Sequence, residues 1–289
     1  MRALPTLPLL LALATPAATQ QKVAERLAVA PDASIRIVNL SGSVRVTGWS
    51  RDSLVVTGTV DPAARFYMGG GGRGAKLGVE LRANDAGSAP AHLDIRVPSR
   101  ARLWIKTESA TIDVSEVRSV DLYAVSGSIR VAGASQQVYA ESMDGAIEVT
   151  GGAPWVRVKT ATGNITLTGV RSDVAATTVS GAVDVRGGPF ERVRLESVTG
   201  DLGLAGPLDR GGSFDFESHS GTIVLVLGDT VSADFDVTSF QGDITNELTA
   251  AVPTRATDGR RATLVFTTAQ GGAQVSIRSF KGPVHLKRQ

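Results

Sequence analysis

The sequence predicts an all-β chain wound into a parallel, right-handed, β-helix-like β-solenoid with an N-terminal antiparallel meander and a C-terminal cap. Three observations carry this. One pattern recurs along the chain: alternating apolar residues, small polar residues, a glycine, then alternating apolar residues again. Its copies are spaced by 17, 18, 18, 18, 19, 21 and 21 residues, the period of coils that stack. The composition, 32 glycines and only 5% aromatic residues in 289, suits many short strands joined by tight turns. The handedness follows from the strong preference of parallel crossovers.

Residues 1–18 read as a secretory signal peptide. Arg2, the apolar run LPTLPLLLALA and the small residues of ATPAAT supply its charged, apolar and cleavage regions, with cleavage expected after Ala14 or Ala17. A buried terminal strand is the alternative. A membrane-spanning helix needs about 20 apolar residues, and this run is shorter and carries Pro5, Pro8 and Pro16. The sequence therefore predicts an exported product, periplasmic, surface-bound or secreted, that is not integral to the membrane after cleavage. With no cysteine in the chain, a lipidated cysteine, disulfides and thiol catalysis are excluded.

Residues 19–102 are expected to hold an opening rung and the meander. The rung is IRIVNLSGSVRV, residues 35–46, in register around Gly42. Residues 54–60, 76–82 and 92–97 then read as strands, bounded by the glycine run 69–74, the segment 84–90 and Pro98. This excursion is expected to cover the first coil.

Residues 103–289 form the repeat array. The copies run from LWIKTESATIDV (103–114) to FDVTSFQGDITN (235–246), punctuated by Ala110, Gly127, Gly145, Gly163, Gly181, Gly200, Gly221 and Gly242. A last copy, VSIRSFKGPVHL (275–286), centres on Gly282, which follows Gly271 by only 11 residues, so the final strands are expected to turn back as a cap. Because side chains alternate across a strand, the positions seven and five before the glycine, and two and four after it, form the core: Leu103, Ile105, Ile112 and Val114 in the first coil. The position three before it is small and usually hydroxylic, as in Thr107, Ser142, Thr160, Thr178, Ser197, Ser218, Ser239 and Ser279, suited to satisfying backbone groups at a corner. The glycines, Gly42 and Gly282 included, supply either a positive φ or room for the next coil. They are structural, not catalytic.

The opposite face is polar. Asp113, Arg130 and Glu148 alternate in sign three residues after the punctuating position, a stabilising ladder on a solvated face. Trp104, Tyr123 and Tyr139 take outward positions on three successive coils near Lys106, Arg130, Arg157 and Lys159. Rings on a rigid ladder beside cations suit stacking on sugars or on another protein; alternatively, the meander folds over and buries them. Glu196, Glu217, Asp215 and Asp236 form the one acidic cluster, placed on late coils, where a glycosidase or a weak calcium site would need carboxylates. No partnered base accompanies it. GGGGRGAK (69–76) lacks the Gly-Lys-Ser/Thr ending of a phosphate loop and reads as a hairpin tip. His92, His219 and His285 lack metal spacing, and His219 and Ser220 point to opposite faces. The formal charge of +2 has no basic stripe behind it, which excludes a nucleic-acid partner.

The recurrent (S/T)-G-(D/N/S/T)-(I/V)-x-(V/L) copies, the opening VPSRARLWIKTESATIDV and the closing SFKGPVHLK resemble the bacterial putative-adhesin family, a domain of unknown function. The resemblance runs over nearly the whole mature chain. It implies an exported, envelope-associated β-solenoid and transfers no catalytic residues. The expected function is a non-catalytic adhesin-like binding or scaffolding module of the cell envelope, with a glycan or envelope protein as partner and no cofactor or metal; the alternative is a polysaccharide-processing enzyme on the same scaffold.

Overall fold

A computed structural model describes residues 20–82, 89–133, 136–257 and 259–289. The expected signal segment 1–18 and most of the expected 84–90 loop lie outside them. The described residues form strands and turns without a helix, and the strands join one continuous, mostly parallel system.

Each coil supplies a leading strand before its glycine and a trailing strand after it. The leading strands Arg102–Thr107, Ser119–Ala124, Gln137–Ser142 and Trp155–Thr160 pair in parallel without a register shift. The column continues through the later residues of Ile165–Thr178 and Val183–Ser197 to Leu208–Ser218. The trailing column runs from Thr111–Ser115 through Ile129–Ala132 and Ile147–Thr150 to Leu202–Ala205 and Ile223–Leu227. Constant register keeps like positions in line, so the apolar positions of every coil meet between the two columns. Leu103, Ile105, Ile112, Val114, Phe214 and Phe216 are all buried there, each such side chain contributing about 1.5–3 kcal/mol.

The corner between the columns shows why glycine and a hydroxyl recur. At Gly145 a Cβ would lie 2.0 Å from the Gly127 carbonyl oxygen, and at Gly163 it would lie 2.2 Å from that of Gly145. Seven of the expected glycines pack in this way on the glycine of a neighbouring coil, and Gly127 packs on Ala110. Room for the next coil is therefore their reason; only Gly42, at φ 98°, also needs the left-handed region. The hydroxyl three residues earlier closes the corner: Ser142 Oγ accepts the Gly145 N–H at 2.9 Å and donates to the Gly127 carbonyl at 3.3 Å. Thr160 and Thr178 accept the Gly163 and Gly181 N–H in the same way and donate instead to the Met143 and Ala161 carbonyls of the preceding coil. Positive φ belongs to the opposite corner, six residues after the glycine, where Gly133 and Gly151 sit at 96° and 117° and Glu116 is held at 57°.

The N-terminal excursion stacks as outer strands of the same system. Gln21–Asn39 begins antiparallel to Ser53–Val60, and its later residues form the leading strand of the opening rung, beside Arg102–Thr107. Ser53–Val60 also pairs antiparallel with Pro90–Pro98, which lies parallel to the rung's trailing strand, Ser41–Trp49. The glycine run 69–74, expected as a hairpin tip, instead lies inside the strand Ala64–Leu81. Gly70, Gly71 and Gly72 carry φ of 107°, 145° and 54°, and the pairing with Gln21–Asn39 shifts register there, so the run bends a strand without ending it.

The C-terminal end departs from the expected order. The cap is made by Ala262–Thr267, antiparallel to Ala233–Ser239, with Thr254–Arg255 on its outer edge. The final copy is not part of that cap. Ala273–Ser279 lies between Leu208–Ser218 and Ala233–Ser239, and Val284–Arg288 lies between Ile223–Leu227 and Ile244–Asn246. The reason is legible in the core positions. The inserted copy offers Val275, Ile277, Val284 and Leu286, all buried, whereas the copy displaced outward carries Asn246 at its last core position. Phe266 of the cap then stacks on Phe235 at 4.6 Å and closes the core.

Candidate functional site

The outer face of the leading column carries two rows of side chains, six and four residues before each glycine. In the first, the register aligns Arg36, Trp104, Asp121, Tyr139 and Arg157; in the second it aligns Lys106, Tyr123, Glu141 and Lys159. The rings of Trp104 and Tyr123 are 5.8 Å apart and those of Tyr123 and Tyr139 5.5 Å, tilted by 43° and 42°. They form a zigzag across three coils, a favourable aromatic geometry. The Arg36 guanidinium closes one end, 4.4 Å from the Trp104 ring.

All three rings are half-exposed. They screen one another, while the strands Ala64–Leu81 and Pro90–Pro98 of the excursion stack at the end of the solenoid beyond the opening rung. Two carboxylates sit among them. Asp121 stands in register between Trp104 and Tyr139, and burial raises its pKa above the usual carboxylate value. The Tyr139 hydroxyl donates to Glu141 Oε2 at 2.8 Å. Burial first, and then this bond and the nearby negative charge, push Tyr139 up to about 12; burial, Asp121 and Glu141 raise Tyr123 as well. The surface thus offers aromatic faces and acceptor oxygens, with Arg157 and Lys159 one coil further on. Such a set can stack on an apolar ring face and accept hydrogen bonds from hydroxyl or ammonium groups.

The acidic cluster expected on late coils does not assemble. The inserted strand puts Ser276 between Asp215 and Asp236, and Arg278 between Glu217 and Thr238. Glu217 is bonded by Arg278 at 2.9 Å and Glu196 by Arg194 at 2.6 Å. Among the described residues no three acidic or histidine side chains converge as a metal ion would require. Ser43 Oγ lies 2.9 Å from His92 Nδ1, a contact unread in the sequence, but Thr245 bonds His285 Nδ1 in the same way at the far end. The recurrence marks a cross-strand pair of the trailing column.

One feature of the surface escaped the sequence reading. Among the described residues, six of the eight exposed large apolar side chains, Val125, Met143, Val179, Val198, Phe240 and Phe280, occupy a single position of the repeat, two before the glycine. They follow the buried corner position directly, and the strand's alternation turns them outward with the positions six and four before the glycine. What sets them apart on that otherwise polar face is that they are apolar.

Three comparisons bear on identity. The chain is similar to a putative cell adhesion protein from Clostridium sporogenes ATCC 15579, known from a crystal structure, at 9% identity and a TM-score of 0.24 over 93% of this chain and 100% of that one. A likeness that remote carries no argument. No curated protein matches the chain significantly. Residues 52–287 match the Toastrack DUF4097 family. Covering the glycine-punctuated coils and most of the N-terminal excursion, that match shows that the chain belongs to the Toastrack DUF4097 family.

Proposed function

We propose that this chain is a non-catalytic, adhesin-like binding or scaffolding module of the bacterial cell envelope, exported to the periplasm or cell surface, where it holds an envelope glycan or an envelope protein. The observation that carries the reading is the half-exposed ladder of Trp104, Tyr123 and Tyr139 with Asp121 and Glu141 set among the rings. Its backbone is fixed by parallel pairing on both sides, so little conformational freedom is lost when a ligand settles on it. Aromatic faces beside acceptor oxygens suit a pyranose, whose two sides are apolar and whose rim is hydroxylic. The enzymatic alternative loses its support with the acidic cluster, whose members are separated or paired with arginines.

The test is co-sedimentation of the purified protein with isolated cell-wall fractions and a panel of envelope glycans, repeated with Tyr123→Ala and Tyr139→Ala. Saturable binding that both variants lose is expected. The rings are half-exposed, so each variant should retain stability to within about 1 kcal/mol, the worth of an aromatic contact. Unfolding that collapses in either variant, or binding that survives both, removes the ladder as the site.

A further inference from the structure

The apolar positions two before the glycine form a second surface, which borders the aromatic ladder along the row of Tyr123 and Glu141. Along the stack they run Val125, Met143, Ala161, Val179, Val198, His219, Phe280 and Phe240. Backbone bonds tie successive corners, for example Met143 N–H to the Val125 carbonyl and Ala161 N–H to the Met143 carbonyl. Glu108 precedes the row at one end. At the other end the rings of His219 and Phe280 stack at 4.8 Å and those of Phe280 and Phe240 at 5.1 Å, so their edges continue the ridge. Eight strands at about 4.8 Å spacing make it roughly 34 Å long, and contiguous exposed apolar surface of this kind marks an interaction site.

The charges beside the ridge say what fits it. On one flank, one residue before each glycine, stand Ser126, Asp144, Thr162, Ser180, Thr199, Ser220, Lys281 and Gln241. On the other, four before it, stand Tyr123, Glu141, Lys159, Thr177, Glu196, Glu217, Arg278 and Thr238. A groove of about 550 Å³ between this second row and the ridge, lined by Glu196, Glu217, Arg278, Val198, His219 and Phe280, shows that the two face the same way. A two-fold axis perpendicular to the ridge, between Val179 and Val198, lays each row antiparallel on its own copy. Asp144 then meets Lys281, Glu141 meets Arg278 and Lys159 meets Glu217, each twice, while Met143 packs on Phe280 and Val179 on Val198. A two-fold axis along the ridge instead lays Asp144 on Glu141 and Lys281 on Arg278, like on like.

We propose that this ridge is a self-complementary interface on which a second copy of the chain docks antiparallel. One symmetric operation covers the apolar stripe, pairs Asp144 with Lys281, and sets Glu141 and Lys159 beside the Arg278–Glu217 pair of the other copy, extending it to a four-charge row of alternating sign; Glu196, bonded by Arg194, faces Thr177. A contact about 34 Å long and a few side chains wide falls at the small end of specific interfaces, so the dimer is a weak one.

Sedimentation equilibrium of the full chain over a concentration series tests this. A monomer–dimer equilibrium is expected. Asp144→Lys and Lys281→Glu should each weaken it about tenfold or more, since each replaces two attractions by two repulsions, and the double variant should restore it. The chain has no cysteine, so Met143→Cys combined with Phe280→Cys provides an independent reading: a covalent dimer should form on oxidation, and neither single variant should cross-link. A chain that stays monomeric at millimolar concentration, single charge variants that leave dimerisation unchanged or strengthen it, or a double-cysteine variant that folds but does not cross-link overturns the proposal.

Discussion

At the scale of single residues, two side chains in each coil decide whether coils can stack. Gly145 faces the Gly127 carbonyl so closely that a Cβ would lie 2.0 Å from its oxygen, and the contact is with backbone, which cannot swing away. Gly145→Ala is therefore expected to cost about 1–3 kcal/mol or more, the range for overpacking a rigid interior, read as a lower urea midpoint. Ser142→Ala leaves the Gly145 N–H without its acceptor and should cost about 1–3 kcal/mol by the same measurement. Tyr139 gives a pH signature. Its pKa lies at about 12 in the folded chain against an ordinary 10.0, so the folded state holds the proton more tightly. The stability tied to that proton is intact below pH 10 and lost as pH rises toward 12. Ultraviolet titration should show Tyr139 ionising late, with Glu141→Gln bringing it back toward the ordinary value.

These corner residues were legible in the sequence because glycine and hydroxyl recur at fixed offsets. The second glycine row, Gly133, Gly151 and Gly169, was equally regular but went unread, since it falls where each trailing strand ends and loop glycines are common. The exposed ridge was illegible for a different reason. Alternation from the buried Ser197 and Ser279 turns Val198 and Phe280 outward, but a single exposed apolar residue at a strand end is ordinary, and only the register of many coils makes a ridge of them.

At the scale of elements, the strands were read from alternation and the ends were not. Two ends of a stack are chosen by competition among copies, and a repeat cannot announce its own place. The copy with four apolar core positions, Val275, Ile277, Val284 and Leu286, took the interior slot, and the copy with Asn246 took the outer one. Ile277 lies buried between Phe216 and Val237. Ile277→Ala should cost about 2–5 kcal/mol as an interior cavity, where a strand on a frayed end would lose little. Truncation after Thr267 should do more: it leaves a gap one coil wide between Leu208–Ser218 and Ala233–Ser239, with both edges unpaired. The expected outcome is aggregation on purification. The 69–74 run misled for a related reason. Glycines that usually mark a tip here bend a strand that keeps a partner in Gln21–Asn39.

At the scale of the whole molecule, constant register converts a one-dimensional repeat into surfaces. Every outward position becomes a column running along the stack, and a column's character follows from what the coils place there. The positions six and four before the glycine give an aromatic and acidic face on early coils; the position two before it gives an apolar ridge that starts on the same coils and runs on to the late ones. The two share a border at Tyr123 and Glu141, so assembly along the ridge would cover that edge of the ladder and leave the outer row, Trp104 and Tyr139, open on each copy. The central claim, that the ladder is where a ligand sits, is tested most directly by the fluorescence of Trp104 itself. In a protein carrying Trp49→Phe and Trp155→Phe, Trp104 is the sole remaining tryptophan of three. Titration with soluble fragments of a cell-wall fraction that binds the protein should shift its emission saturably, with the midpoint found by co-sedimentation. Binding that proceeds to saturation while the Trp104 emission stays fixed would contradict the account and place the ligand elsewhere on the solenoid.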